Sequence, residues 1–232
     1  MKIFAISDLH LSTSGSKPMD IFGLCWTNYM QKIEEDWNKK VGDDDIVLIS
    51  GDISWAMNLE DAIIDLKSIA HLKGKKVMIR GNHDYWWKSL SKIKSLLPEN
   101  FYVLQNDAIK FENVVICGSR GWTVEGSPDF SEEDRKLYNR EHERLKLAMQ
   151  SANKLKDENS KLIAMVHFPP FNVRREPSLF TNLFEENGVN CVIYGHLHGK
   201  ESRVDKKLCK NGIDYYLTSC DQIGFKLVEI EI

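Results

Sequence analysis

Residues 78–87 read MIRGNHDYWW. Val77, Met78 and Ile79 look like the end of a buried strand. The chain then turns through Gly81 and sets down Asn82, His83 and Asp84 in a row, ahead of two tryptophans. An amide and an imidazole on one loop serve a turn as readily as a site. The distinction rests on whether other apolar runs end in the same kinds of residue.

They do. Short apolar runs with polar or glycine punctuation predict buried strands over 2–7, 46–50, 76–80, 114–118, 162–167 and 189–194. Asp8-Leu9-His10 follows the first and Gly51-Asp52 the second. Gly81-Asn82-His83-Asp84 follows the third, His167 closes the fifth, and Gly195-His196-Leu197-His198 follows the last. In open α/β sheets, sites form at the carboxyl ends of the strands. Five of the seven histidines fall in these positions; His71 and His142 lie elsewhere, on helical stretches. Alternate side chains of extended backbone share a face. The spacing therefore predicts that Asp8 and His10 point together into a site while Leu9 points into the core, with His196 and His198 repeating the device. Glycines before Asp52, Asn82 and His196 are expected to let the backbone turn tightly.

Helical periodicity covers 19–40, 59–72 and 85–97, and Ser131 opens a long charged helix to about residue 157, with Asp134 at the capping-box position. Strands alternating with helices predict an α/β fold with parallel pairings in the first half. The tail changes character. ESRVDKK, IDYYLTS and FKLVEIEI are strand-like, and KNG at 210–212 is a hairpin signal, which suggests a mixed sheet finished by antiparallel strands. No repeat, low-complexity tract or linker interrupts the chain, and its 232 residues fit one domain spanning 1–232.

Composition narrows the function. Apolar residues make up 42% and charged residues 28%, an ordinary globular balance. There is no run of 18 apolar residues, so no membrane partner is expected. The start, MKIFAISDLHLS, meets Asp8 and His10 too soon for a secretory signal and reads as the first strand. The net charge of −3, with basic residues scattered among acids, gives no footprint for extended nucleic acid and leaves room for a small phosphate-bearing substrate. Five cysteines (25, 117, 191, 209 and 220) without a C-x-x-C pair indicate neither a disulfide framework nor a zinc ribbon, and the cytosol is the default compartment.

Asp8, His10, Asp52, Asn82, His167, His196 and His198 offer seven nitrogen and oxygen ligands. That exceeds what one ion needs, so two metals are the natural reading, clamping the oxygens of a phosphate displacement. Imidazole with carboxylate and amide suits Mn, Fe or Zn better than Mg or Ca alone.

The five motifs in this order resemble the calcineurin-like metallophosphoesterase superfamily over residues 8–198, closest to bacterial predicted phosphohydrolases. The resemblance implies a four-layer α/β/β/α sandwich of two mixed sheets flanked by helices, with a dinuclear centre of divalent or trivalent ions. It implies that Asp8, His10, Asp52 and His198 hold one metal and Asp52, Asn82, His167 and His196 the other, with Asp52 bridging. It further implies that His83 faces the substrate as a catalytic residue, while a metal-bridging hydroxide attacks a phosphomonoester or phosphodiester. Asp84 is either an anchor for the ligand loops or a cap for the helix that follows. The protein Ser/Thr phosphatase branch continues its second motif as G-D-x-x-D-R-G. Here GDISWAM puts Trp55 at the second Asp, and no Arg follows. The lipid A pathway pyrophosphatases carry G-N-R-D where this chain has His83. Arg120 in GSRGWT, and Arg174 and Arg175 after HFPPFN, are candidates to grip phosphate. Trp55, Trp86, Trp87 and Trp122 either wall the site or pack the core. A rival reading of another class is a catalytically silent metal-binding scaffold of the same fold.

Overall fold

The computed structural model describes residues 1–13, 17–128, 130–199 and 204–232. The first half builds a sheet from β1 (Ile3–Ile6), β2 (Ile46–Ile49), β3 (Lys75–Met78) and β4 (Phe101–Val103), all parallel; β11 (Val228–Glu229) joins antiparallel beside β1. The second sheet runs β5-β6-β7-β8-β10-β9. In it β6 (Val114–Gly118), β7 (Lys161–Met165), β8 (Cys191–Tyr194) and β10 (Ile213–Leu217) are parallel. The edges β5 (Asp107–Phe111) and β9 (Lys207–Lys210) are antiparallel.

Strand alternation sorts the apolar residues into three buried layers. Ile3, Ala5, Ile46, Leu48 and Val77 face Ile116, Ile163, Met165, Cys191 and Ile193 between the sheets. Phe4, Ile6, Val47, Ile49 and Met78 face outward under α1 (Tyr29–Lys40) and α2 (Leu59–Ser68). Val115, Cys117, Leu162, Ala164, Val192 and Tyr194 face α4 (Glu132–Leu155) and α5 (Leu179–Glu186). Strands buried on both faces read as continuous apolar runs, which is why the six central ones were legible. Two mixed sheets flanked by helices follow, as expected.

The Ser131–Asp134 capping box forms, and Asn211 and Gly212 make the expected turn between β9 and β10 with φ of 52° and 79°. Part of ESRVDKK lies outside the described residues, and the strand there begins at Lys207.

Two helical expectations are corrected. Residues 19–40 are not one helix: short 3-10 turns cover Met19–Phe22 and Leu24–Trp26 before α1. Gly23 at φ 134° and Asn28 at φ 52° break the spiral, and Ile21 and Leu24, two of the apolar residues at helical spacing, are exposed. The stretch 85–97 is helical only over α3 (Leu90–Leu96). Trp86 and Trp87 are both buried and send their indole N–H groups to opposite partners, Asp84 Oδ1 at 3.1 Å and Gln105 Oε1 at 2.8 Å. A compact turn, with Tyr85 and Trp87 N–H bonded to His83 and Asp84 carbonyls, meets both demands.

The carboxyl ends of the two sheets are stitched together. Ser7 N–H donates to Thr218 O at 2.8 Å, Cys220 N–H donates to Ser7 O at 3.0 Å, and His167 Nδ1 lies 2.8 Å from Ser50 O.

Candidate metal centre

Each ligand-type residue lies just beyond a strand. Asp8 and His10 follow β1, Asp52 follows β2, Asn82 and His83 follow β3, His167 follows β7, and His196 and His198 follow β8. All seven proposed ligands gather here. Ligand atoms of Asp8, His10 and His198 lie within 4.8 Å of one another, as do those of Asp8, Asp52 and His167. Asn82 Oδ1 stands 2.7 Å from His167 Nε2 and 3.0 Å from His196 Nδ1.

The backbone delivers them differently from the extended geometry the i, i+2 spacing suggested. Asp8, His10, Asp52 and His196 have φ of 58°, 47°, 49° and 72°, in the left-handed region that side-chain-bearing residues rarely adopt. Leu9 does point into the core. Such strain costs roughly 1–3 kcal/mol per residue and persists where the surroundings over-determine it. The fixing bonds are Asp8 N–H to Gly51 O and His10 N–H to Asp52 O, each 3.0 Å. Gly51 makes the expected turn at φ 92°, whereas Gly81 and Gly195 serve in another way. A Cβ on Gly81 would lie 2.1 Å from Asp52 Oδ1, and one on Gly195 would lie 2.3 Å from Asp8 Oδ2. Their service is close approach: the missing side chain is the space that each carboxylate fills.

Asp84 is resolved in favour of the anchor. It accepts N–H bonds from Gly81 at 2.8 Å, Ile53 at 2.9 Å, Ser54 at 3.2 Å and the Trp86 indole, tying the Asp52 loop to the Asn82 loop. The cap of α3 is Ser89. Burial, seconded by the Asp52 charge, pushes the Asp84 carboxyl up to about 6.

The electrostatics divide the histidines. Burial holds His10 and His196 down at about 4, so both are neutral and have lone pairs to give. Burial opposes the charge on His167 and His198 too, but carboxylates override it. Asp52 lifts His167 to about 9, while Asp221 and Asp8 lift His198 to about 10. For Asp8, burial is outweighed by His198, His167 and His10, which hold its carboxyl well below the usual range. Asp52, beside His167, is also lowered against the push of burial.

Neutral imidazoles, ionised carboxylates and an amide oxygen aimed at one another are the donor set of a transition-metal site. Among the described residues the buried Nδ1 of His10 has no hydrogen-bond partner, although a buried imidazole nitrogen ordinarily finds one. The residues present fit a metal centre. The family model described as calcineurin-like phosphoesterase matches residues 1–200.

The chain belongs to the calcineurin-like phosphoesterase family.

Solved structures with the same fold include a protein of unknown function, AQ665, from Aquifex aeolicus. It is 15% identical with a TM-score of 0.53, over 98% of this chain and 95% of that one. A second is TT1561 of Thermus thermophilus, 14% identical with a TM-score of 0.59, over 99% and 97%. No curated protein matches the chain.

One feature of this calcineurin-like centre escaped the sequence reading. Asp221, beyond β10, accepts from His198 Nδ1 at 2.8 Å and from Gly199 N–H at 2.9 Å. The same search for ligand-type residues past strand ends would have found it, had IDYYL been read as parallel. Trp55 stacks on His10 at 4.6 Å and lies 4.7 Å from His83, so it walls the site, with Lys17 over its outer face at 4.6 Å. Trp86 and Trp87 are core, and Trp122 packs on Phe168. The ring of half-buried His83 is free of hydrogen bonds among the described residues, and its N–H donates to Asp52 Oδ1 at 2.8 Å. Arg120 pairs with Glu141, Arg174 with Glu176 and Arg175 with Asp205. No described helix is long and apolar enough to cross a membrane.

Proposed function

We propose that this protein hydrolyses phosphate esters, monoesters or diesters, with two metal ions of the Mn, Fe or Zn kind. Asp8, His10, Asp52 and His198 would hold one ion and Asp52, Asn82, His167 and His196 the other. The single observation that carries the reading is the presence of Asp8 in both carboxylate–imidazole triads. A carboxylate common to both relieves the repulsion of two adjacent cations. Since Asp8 is the shared member of the triads, it joins Asp52 as a candidate bridge.

Bound ions would supply Lewis-acid activation of water and of the phosphoryl oxygens. The protein does the rest. Trp55, Trp26 and Phe168 crowd the imidazoles and exclude bulk water, which strengthens each charge inside. His83, fixed through its N–H and free at its ring, stabilises charge on the phosphoryl group or protonates the leaving oxygen. Asp84 locks the Asp52 and Asn82 loops in register.

The test is metal analysis together with hydrolysis of para-nitrophenyl phosphate and its bis ester in Mn²⁺, Ni²⁺ or Zn²⁺. Two metals per chain and turnover of either ester are expected. Protein holding two metals that turns over neither ester is a scaffold, and the proposal fails.

A further inference from the structure

Around the buried Glu141 of α4 the charges do not balance. Its Oε1 meets Arg144 at 2.7 Å, Arg120 at 3.2 Å and Arg140 at 3.7 Å, and its Oε2 accepts from Ser119 at 3.3 Å. A fourth guanidinium, Arg80, lies near enough that its charge opposes that of Arg120. Among the described residues Arg80 has no hydrogen-bond or ion-pair partner, and the Nε atoms of both Arg80 and Arg120 are buried and unpartnered. A buried N–H without an acceptor forfeits its hydration with nothing in return and is destabilising. Two such groups beside one overcommitted carboxylate make poor structure, unless an acceptor arrives from solution.

The cluster adjoins one half of the metal centre. Arg80 leads directly into Gly81-Asn82. The Arg120 carbonyl accepts the His167 N–H at 2.8 Å. The Arg120 guanidinium sits 4.5 Å over Trp122, which packs on Phe168 at 4.8 Å, and Phe168 packs on His196 at 4.2 Å. Arginine forks match the planar oxygens of phosphate and carboxylate.

We propose that Arg80 and Arg120 form a second anion subsite beside the Asn82–His167–His196 half of the centre, so that the substrate carries a second anionic group, phosphate or carboxylate, beyond the phosphoryl group that reacts. The inference rests on the phosphoester reading above. It also separates Arg120 from Arg174 and Arg175, which are exposed and already paired.

The test measures dissociation constants of Mn²⁺-loaded protein for propylphosphonate, 3-phosphonopropionate, propane-1,3-diphosphonate and the longer homologues of the last two. At least one doubly anionic compound should bind about 10-fold or more tightly than propylphosphonate. The carboxylate and phosphonate arms tell which anion the subsite takes. R80Q should cut the advantage to about 2-fold or less, and R80K should restore part of it, as a charge without the fork. R120Q reads the same ratio if R80Q does not fold. No advantage in the wild type at any chain length, or an advantage that survives R80Q or R120Q, overturns the subsite alone. Failure of propylphosphonate itself to bind metal-loaded protein removes the phosphoester reading and the subsite with it.

Discussion

His198 directs its Nδ1 at Asp221 Oδ1, 2.8 Å away, while its Nε2 lies 3.3 Å from Asp8. One face of the ring is thus orientated by a carboxylate from the second sheet, and the other is aimed into the centre. A carboxylate behind a ligand imidazole fixes its tautomer and raises its basicity, and losing it typically weakens metal binding about 10- to 100-fold. D221N should therefore lower affinity for one of the two ions by that factor and leave the other nearly unchanged. Metal titration of the variant, followed by calorimetry, reads both sites; equal weakening of the two would contradict the assignment.

Gly81 and Gly195 yield a steric prediction. An alanine methyl at residue 195 would collide with Asp8 Oδ2 at 2.3 Å and Ser7 Oγ at 2.4 Å, and one at residue 81 would collide with Asp52 Oδ1 at 2.1 Å. The colliding atoms are buried, so relief requires moving a ligand carboxylate. G195A and G81A should each lose bound metal and about 1–3 kcal/mol of stability, the usual cost of overpacking. Metal-to-protein ratio and melting temperature in chelator check this. A G195A protein with both ions and an unchanged melting temperature would show that Asp8 need not sit where it does.

The centre was legible in the sequence to the extent that its logic is local. Apolar runs such as DIVLIS announce parallel strands because both faces are buried, and a carboxylate or imidazole just past such a run has few structural reasons to be there. What escaped depends on pairing across the chain. Asp221 reaches His198 only because β10 lies parallel beside β8, and no pattern within IDYYLTSCD discloses that neighbour. The left-handed backbone at Asp8 and His10 was also hidden, since an i, i+2 spacing fits both that geometry and an extended one. β5 was missed because all five of its residues are half-buried, so it shows no clean alternation. The apolar spacing over 19–28 imitated a helix that Gly23 and Asn28 break.

His83 and Asp52 are joined through the backbone, His83 N–H to Asp52 Oδ1, and not through the imidazole. Truncation of the ring therefore leaves that bond intact. H83A should retain both metals while kcat falls about 10²- to 10⁴-fold, the range for a general acid or a comparable charge stabiliser. Steady-state kinetics beside metal analysis separates the two effects. Parallel loss of metal and rate would make His83 a structural residue.

Lys76 offers a test of the fold apart from the centre. Its side chain is buried under α1, bonded to the Leu72 and Gly74 carbonyls, with the Trp37 and Phe101 rings 5.6 and 5.2 Å away and, among the described residues, no acid paired with it. Burial brings its ammonium down to about 8 from 10.5. Between those values the unfolded chain binds the proton that the folded chain has lost, so stability from this group rises with pH across the window. Below about 8 both states are charged and the burial cost is carried in full. K76M removes the titration. The melting temperature of the wild type relative to K76M should climb by a few degrees between these pH values. Parallel curves for the two proteins would show that the ammonium is not desolvated.

The split among the histidines determines how metal loading responds to pH. In the metal-free chain His167 and His198, raised to about 9 and 10, carry their second proton at neutral pH, while His10 and His196, lowered to about 4, do not. An imidazolium cannot bind a cation, so filling the centre must displace protons from His167 and His198 but none from His10 or His196. Below about 9 affinity should rise with pH, and near neutrality complete loading should release about two protons per chain from the imidazoles, with one more where a metal-bound water ionises. Calorimetric titration in buffers of differing ionisation enthalpy counts them directly. Release of about four would mean that all four imidazoles are charged beforehand, and release of none would mean that the carboxylates beside His167 and His198 do not hold their protons in place.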